Sequence, residues 1–234
     1  MTTTAAEVDL ATSIGELMLP DPVLVASGCG GTGREIEPFL DLGALAAFVT
    51  RSVTLDARAG GPPPRAVETP SGLLCDTGLQ GPGLHGFLAT ELSWLAQRRV
   101  RTVVSVSGET LGEYAELARR VGASPGVSAV EVNLGWPASG AASRDSYQAS
   151  KVVAAVCRDM PRGIPVLAKL APDVHGVVDV ARAVVKAGAD AVVVGHGLPG
   201  LAVDPRTLRP ALGGGGGMLA GPAVHAVALR CLWD

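Results

Sequence analysis

Short apolar runs bounded by Gly or Pro alternate with longer segments of helical period along most of this 234-residue chain, and few folds accept that rhythm. Runs at 23–26, 46–50, 102–106, 129–133, 166–170 and 191–195 are too short and too continuously apolar for surface helices, so they read as strands buried on both faces. Between them, 35–45, 83–97, 111–121, 146–159 and 177–187 carry apolar residues at helical spacing, and a last helix begins near Pro222. Strand and helix in turn define the α/β class, with βα units built around a parallel sheet.

Composition narrows what such a fold does. Glycine is abundant, at 31 residues, but it follows no Gly-X-Y period, and 47% hydrophobic content excludes a disordered chain. A net charge of -3, spread along the sequence, leaves no basic surface for nucleic acid or an anionic membrane, so the expected partner is a small molecule. The four cysteines stand far apart with no zinc-ligand spacing, which fits reduced thiols and a cytoplasmic protein. With no apolar run near the ~18 residues of a membrane span, we expect one soluble domain over 1–234.

Several local features carry position. Residues 8–19 alternate around Gly15-Glu16 and predict a hairpin that plugs the base of a barrel. Thr110 and Glu113 form a capping-box pattern that starts the third helix. The proline-rich 57–65 and the five glycines of 213–217 read as loops, the latter as either an anion-binding nest or a mobile lid. Polar residues gather just past the strand ends: Ser27 and Gly28, Arg51 and Ser52, Ser107, Asn133, Lys169 with Asp173, and His196. In a parallel barrel that end carries the ligand, because the βα loops converge there.

Longer strings say more. Pro22-Val23-Leu24-Val25-Ala26-Ser27-Gly28, Thr50-Arg51-Ser52-Val53-Thr54, Glu68-Thr69-Pro70-Ser71-Gly72, Glu131-Val132-Asn133-Leu134, Ala168-Lys169-Leu170-Ala171-Pro172 and Ala220-Gly221-Pro222-Ala223 follow one another in an order and spacing that resembles the class 1 dihydroorotate dehydrogenases, nearest to their NAD-linked type. The resemblance implies a (β/α)8 TIM barrel holding FMN at its C-terminal mouth, of which about six βα units are present here. It also implies oxidation of dihydroorotate, with the C6 hydride passing to the flavin and the C5 proton to a base. The flavin contacts it implies are Ala26, Ser27, Gly28, Arg51, Ser52, Asn133, Lys169 and Gly221, and Lys169 would set its ammonium against the flavin edge that gains negative charge on reduction. A homodimer and a second subunit carrying FAD and an iron–sulfur cluster are the implied partners.

The chain departs from the family where substrate would sit. Arg51 stands for a lysine, and Cys75 for a substrate asparagine whose paired amide bonds a thiol cannot make. Trp136 replaces the cysteine that serves as base, Ala138 a second asparagine, and His196-Gly197 a third with its hydroxyl neighbour. His196 and Cys75, the latter expected on a loop facing the same ring of residues, are the remaining candidates for a base, while Trp136 either stacks on a flat ligand or fills the vacated space. Two further βα units with their phosphate-binding loops are expected beyond Asp234. Two readings stay open: an FMN-dependent oxidoreductase acting on dihydroorotate or a related molecule, and a non-catalytic truncated paralogue serving as a scaffold.

Overall fold

The structure, a computed structural model, describes residues 8–135 and 145–234. In chain order its strands are β1 (Thr12–Ile14), β2 (Leu17–Leu19), β3 (Leu24–Val25), β4 (Ala47–Val49), β5 (Ala66–Thr69), β6 (Gly72–Cys75), β7 (Thr102–Val106), β8 (Val127–Asn133), β9 (Val166–Leu170), β10 (Ala191–Val194), β11 (Leu198–Gly200), β12 (Val203–Asp204), β13 (Arg209–Pro210) and β14 (Gly217–Ala220). The principal helices are α1 (Gly83–Phe87), α2 (Ser93–Gln97), α3 (Leu111–Gly122), α4 (Ser146–Asp159), α5 (Val177–Lys186) and α6 (His225–Trp233). A π turn at Leu88–Leu92 joins α1 to α2, and there the Ser93 hydroxyl donates to the Leu88 carbonyl at 2.9 Å.

Six strands pair in parallel in the order β10-β9-β8-β7-β4-β3, with β10 and β3 at the edges of a half-barrel. Strand alternation sorts their side chains. Val104, Val106, Val130, Val132, Val166 and Ala168 face outward into the main core, packed against the helices. Leu84 and Phe87 of α1, Tyr114, Leu117 and Val121 of α3, and Val152, Val153 and Val156 of α4 supply the other side of that core. Their i, i+3, i+4 and i+7 spacing is what holds each helix to the sheet. Inward, Val49, Val103, Ala129 and Leu167 make a smaller cluster with Leu19, the fully buried end of the β1–β2 hairpin. The hairpin is therefore the barrel's plug, and Gly15 at φ +55° supplies the tight turn that reverses it.

Two sequence expectations change and two others gain detail. No regular helix forms over 35–45, because Pro38 removes a backbone donor and Gly31 and Gly33 hold positive φ; the segment is a series of turns ending in a 3-10 turn at Leu42–Ala44, capped by Asp41. The capping box of α3 forms as expected, Thr110 Oγ accepting from the Glu113 amide at 3.2 Å and the Glu113 carboxylate taking the Glu109 amide, one residue before the cap, at 3.0 Å. The glycine run packs closely on its neighbours at several points. A Cβ at Gly213 would meet the Pro63 carbonyl oxygen at 2.4 Å and one at Gly214 would meet Asp76 Oδ2 at 2.4 Å, so these glycines permit close packing on 62–64 and Asp76, and Gly217 begins β14. Finally, Cys75 lies on a strand, β6, rather than on a loop.

That strand belongs to a second, four-stranded sheet of order β11-β14-β6-β5. The loop after β4 contributes β5 and β6, and the loop after β10 contributes β11 and β14. Three strands separate β4 from β10 in the parallel sheet, yet their loops meet through the antiparallel β6–β14 pair. The two loops thus close over the C-terminal end of the half-barrel and define its mouth.

Candidate functional site at the C-terminal mouth

At the mouth the inward alternation of the strands delivers polar instead of apolar side chains. Above Val103, Ala129 and Leu167 come Ser105 on β7, Glu131 and Asn133 on β8, and Lys169 on β9. Glu131, Asn133 and Lys169 are only 2%, 5% and 7% exposed, so each needs partners inside the protein.

Asn133 is fixed at three points. Its carbonyl oxygen accepts from the Tyr114 hydroxyl of α3 at 3.1 Å, its Nδ2 donates to Ser52 Oγ at 2.9 Å, and its Oδ1 accepts from the Gly135 amide at 3.1 Å. Ser52 Oγ lies 3.0 Å from Ser105 Oγ, and the Ser105 hydroxyl donates to the Glu131 carboxylate. Because Ser52 accepts from Asn133 and Ser105 gives its proton to Glu131, the Ser52 proton falls to Ser105. One directed chain therefore runs from the mouth to the interior: Asn133 to Ser52 to Ser105 to Glu131. Burial pushes the Glu131 carboxyl up, while the Lys169 charge and the Ser105 bond pull it back.

His196 follows β10 and joins this group. A Cβ on Gly135 would lie 3.0 Å from His196 Cδ2, which puts the imidazole against the backbone beyond Asn133. Burial, and then the Lys169 charge, lower its pKa to about 4, so the ring is neutral at physiological pH. Its Nδ1 is buried without a hydrogen-bond partner among the described residues, as are Ser107 Oγ, Arg51 Nε and the second oxygen of Glu131.

Around this centre the other expected residues vary in how closely they approach. Arg51 reaches sideways, its Nη2 3.6 Å from Glu91 Oε1 and its Nη1 3.5 Å from the Gln80 carbonyl oxygen. Ala26, Ser27 and Gly28 follow edge strand β3, and Gly28, at φ +86°, has nothing within 4 Å of where a Cβ would stand. Gly221, at φ +99°, precedes the turn into α6 and sits 3.2 Å from the Gly72 Cα by its would-be Cβ, beside the second sheet. Cys75 pairs with Met218, and Met218 in turn packs on Gly197, so the thiol is one residue removed from His196-Gly197. Burial pushes the Cys75 thiol up, away from the reactive thiolate. Trp136, with Ala138, lies outside the described residues. A cavity of about 140 Å³ opens past β7 and is lined by Thr54, Leu55, Asp56, Arg58, Ser107 and Glu109.

Ser105 and Glu131 were not among the residues expected from sequence. The signal for both was present: a serine and a glutamate in otherwise apolar strand runs, at inward positions in register with each other. The described residues hold no cluster of metal-ligating side chains and no helix long and apolar enough to cross a membrane.

A buried lysine, an anchored amide and partnerless buried polar atoms, gathered at the C-terminal mouth of a βα half-barrel, define the class of barrel proteins that take a polar small molecule between their βα loops. Residues 9–234 match the dihydroorotate dehydrogenase family, and the chain belongs to that family. It is 40% identical to the dihydroorotate dehydrogenase B (NAD(+)) catalytic subunit of Anoxybacillus flavithermus, over 96% of this chain and 73% of that one. It is 42% identical to the subunit of the same name from Desulforudis audaxviator, over 97% and 75%, and 40% identical to that of Desulforamulus reducens, over 97% and 76%. The chain thus spans about three quarters of the length of these curated relatives.

Proposed function

We propose that the mouth binds FMN and that the chain acts as a flavin-dependent oxidoreductase on dihydroorotate or a close analogue, as the catalytic component beside an electron-accepting partner subunit. The observation that carries the reading is the cluster of buried Asn133 and Lys169 with half-buried Ser52 and His196, in which Asn133 Nδ2 is bonded to Ser52 and His196 Nδ1 has no partner among the described residues. An isoalloxazine ring is flat and apolar in its middle and polar along its edges, which suits such a rim, and the open space over Gly28 admits it without a side chain in the way. Ser27, Gly28, Ser52, Asn133 and Lys169 would hold the group, with Arg51 and Gly221 at its margins. When bound, the flavin supplies the hydride-accepting chemistry.

The protein's own part is electrostatic and positional. Lys169 places an ammonium in a site shielded from water, where it would favour the reduced, more negative flavin. Asn133 is preorganised by Tyr114, Gly135 and Ser52, so it orients flavin and substrate without reorganising. His196 takes the substrate's C5 proton on Nδ1, the nitrogen left without a partner. Because the ring is neutral above about pH 4, that step does not wait on deprotonation across the neutral range.

The test is anaerobic. FMN-loaded protein mixed with dihydroorotate loses its visible flavin absorbance, and His196→Asn slows that loss by about 10²-fold or more. Absorbance that stays constant for hours rejects dihydroorotate as the substrate and favours the scaffold reading.

A further inference from the structure

Glu131 has no part in the reading above, yet it is the most buried carboxylate among the described residues. It is 2% exposed, one oxygen accepts from Ser105, and the other has no hydrogen-bond partner among the described residues. On the adjacent strand, Lys169 lies two residues further toward the mouth in register, Glu131 pairing with Leu167 and Asn133 with Lys169. Both side chains point inward, the diagonal separation is one that long side chains span, and Lys169 is the cation that acts on Glu131. The mouth therefore holds one buried cation and, beneath it, one buried carboxylate that also ends the Asn133–Ser52–Ser105 chain.

Resting on the flavin reading, we infer that Glu131 is a positioning residue: its carboxylate is the counter-charge for Lys169 and the terminal acceptor that fixes the direction of the Ser105, Ser52 and Asn133 hydrogen bonds. A buried ammonium without a counter-charge is costly, and a hydroxyl chain without a terminal acceptor is free to reverse. Reversed, Ser105 would donate to Ser52, and the Ser52 proton, displaced from Ser105, would compete with Asn133 Nδ2 for position around the same oxygen and loosen the amide's anchor. Glu131 therefore sets the state of two flavin-facing groups while touching neither the flavin nor the substrate. Among the described residues, the titratable groups that interact with Lys169 are Glu131 from β8 and His196 from the end of β10, while the Arg51 guanidinium engages Glu91.

The test is a double-mutant cycle with Glu131→Gln and Lys169→Met, read in two ways. Glutamine keeps the shape and an acceptor oxygen but removes the charge. In the first readout, fluorescence titration with FMN, Glu131→Gln weakens binding about tenfold in the parent and adds nothing in the Lys169→Met background. In the second, urea unfolding of the unliganded chain, each single substitution lowers the midpoint and the double variant regains much of the loss, because neither charge is then left unpaired. Equal losses in both backgrounds, or a Glu131→Gln variant that binds and unfolds like the parent, overturn the inference. If Glu131→Gln alone fails to fold, a folded double variant supports the charge pair and an unfolded one overturns it. Should the parent bind no FMN, the flavin reading fails, and the urea cycle still decides the role of Glu131.

Discussion

Replacing His196 with asparagine makes the strongest prediction about stability, because the histidine is held neutral against its own chemistry. Its folded pKa is about 4, against an ordinary value of about 6.5, with burial as the first cause and the Lys169 charge as the second. Below pH 6.5 the unfolded chain takes up a proton that the folded chain refuses. Stability from this group is therefore present above pH 6.5 and is lost as pH falls toward 4, levelling off below that. A separation of about 2.5 units at ~1.4 kcal/mol each gives a full loss of about 3 kcal/mol, of which about 2 kcal/mol falls between pH 7 and pH 4.5. Urea unfolding of the parent and of His196→Asn at both pH values isolates the term, since the remaining carboxylates titrate alike in the two proteins. The parent should lose about 2 kcal/mol more than the variant over that interval. Adding Lys169→Met to the parent should shrink the difference by removing the second cause. A parent-to-variant gap that is the same at pH 7 and pH 4.5 refutes the buried, neutral imidazole and with it the placement of His196 in the mouth.

Two other outcomes follow from the packing. Tyr114→Phe deletes the hydroxyl that donates to the Asn133 carbonyl at 3.1 Å, and should cost about 1 kcal/mol in urea unfolding together with a measurable loss of FMN affinity. Gly78→Ala should cost about 2 kcal/mol or more by thermal unfolding, because Gly78 stands at φ +61° and a Cβ there would lie 2.4 Å from the Gly61 backbone nitrogen; an unchanged melting temperature would mean that the loop before α1 is not packed as described.

The half-barrel was legible because its strands are buried on both faces and so appear in sequence as unbroken apolar runs. All six such runs became strands of the parallel sheet, 102–106 and 166–170 with the expected bounds and the other four trimmed or extended by one or two residues at an end. The second sheet was not legible. Its strands are three or four residues long, carry glycine at Gly72, Gly200 and Gly217, and are made by pairing loops about 140 residues apart, so no local period marks them. Only the turn in Thr69-Pro70-Ser71-Gly72, where Ser71 takes φ +62°, advertised a hairpin there. The segment 35–45 misled because its apolar spacing is helical while Pro38 and the glycines before it forbid the helix. At the site, Ser52, Asn133, Lys169 and His196 were visible as polar residues at strand ends, and the structure brings them together. Ser105 and Glu131 were hidden because they sit inside strands, where a lone polar residue looks like an exception to an apolar run rather than one link of a chain that only pairing between β7 and β8 completes.

The central claim is that the ring of Ser52, Asn133, Lys169 and His196 is a flavin site. Its most direct measurement is the visible spectrum of the purified chain after incubation with FMN and removal of free flavin, compared with Asn133→Ala. The parent should retain flavin absorbance, and Asn133→Ala, which strips Ser52 and the Gly135 amide of their shared partner, should bind at least about tenfold more weakly. A colourless parent, or an Asn133→Ala variant that holds FMN as tightly as the parent does, would contradict the assignment of the mouth.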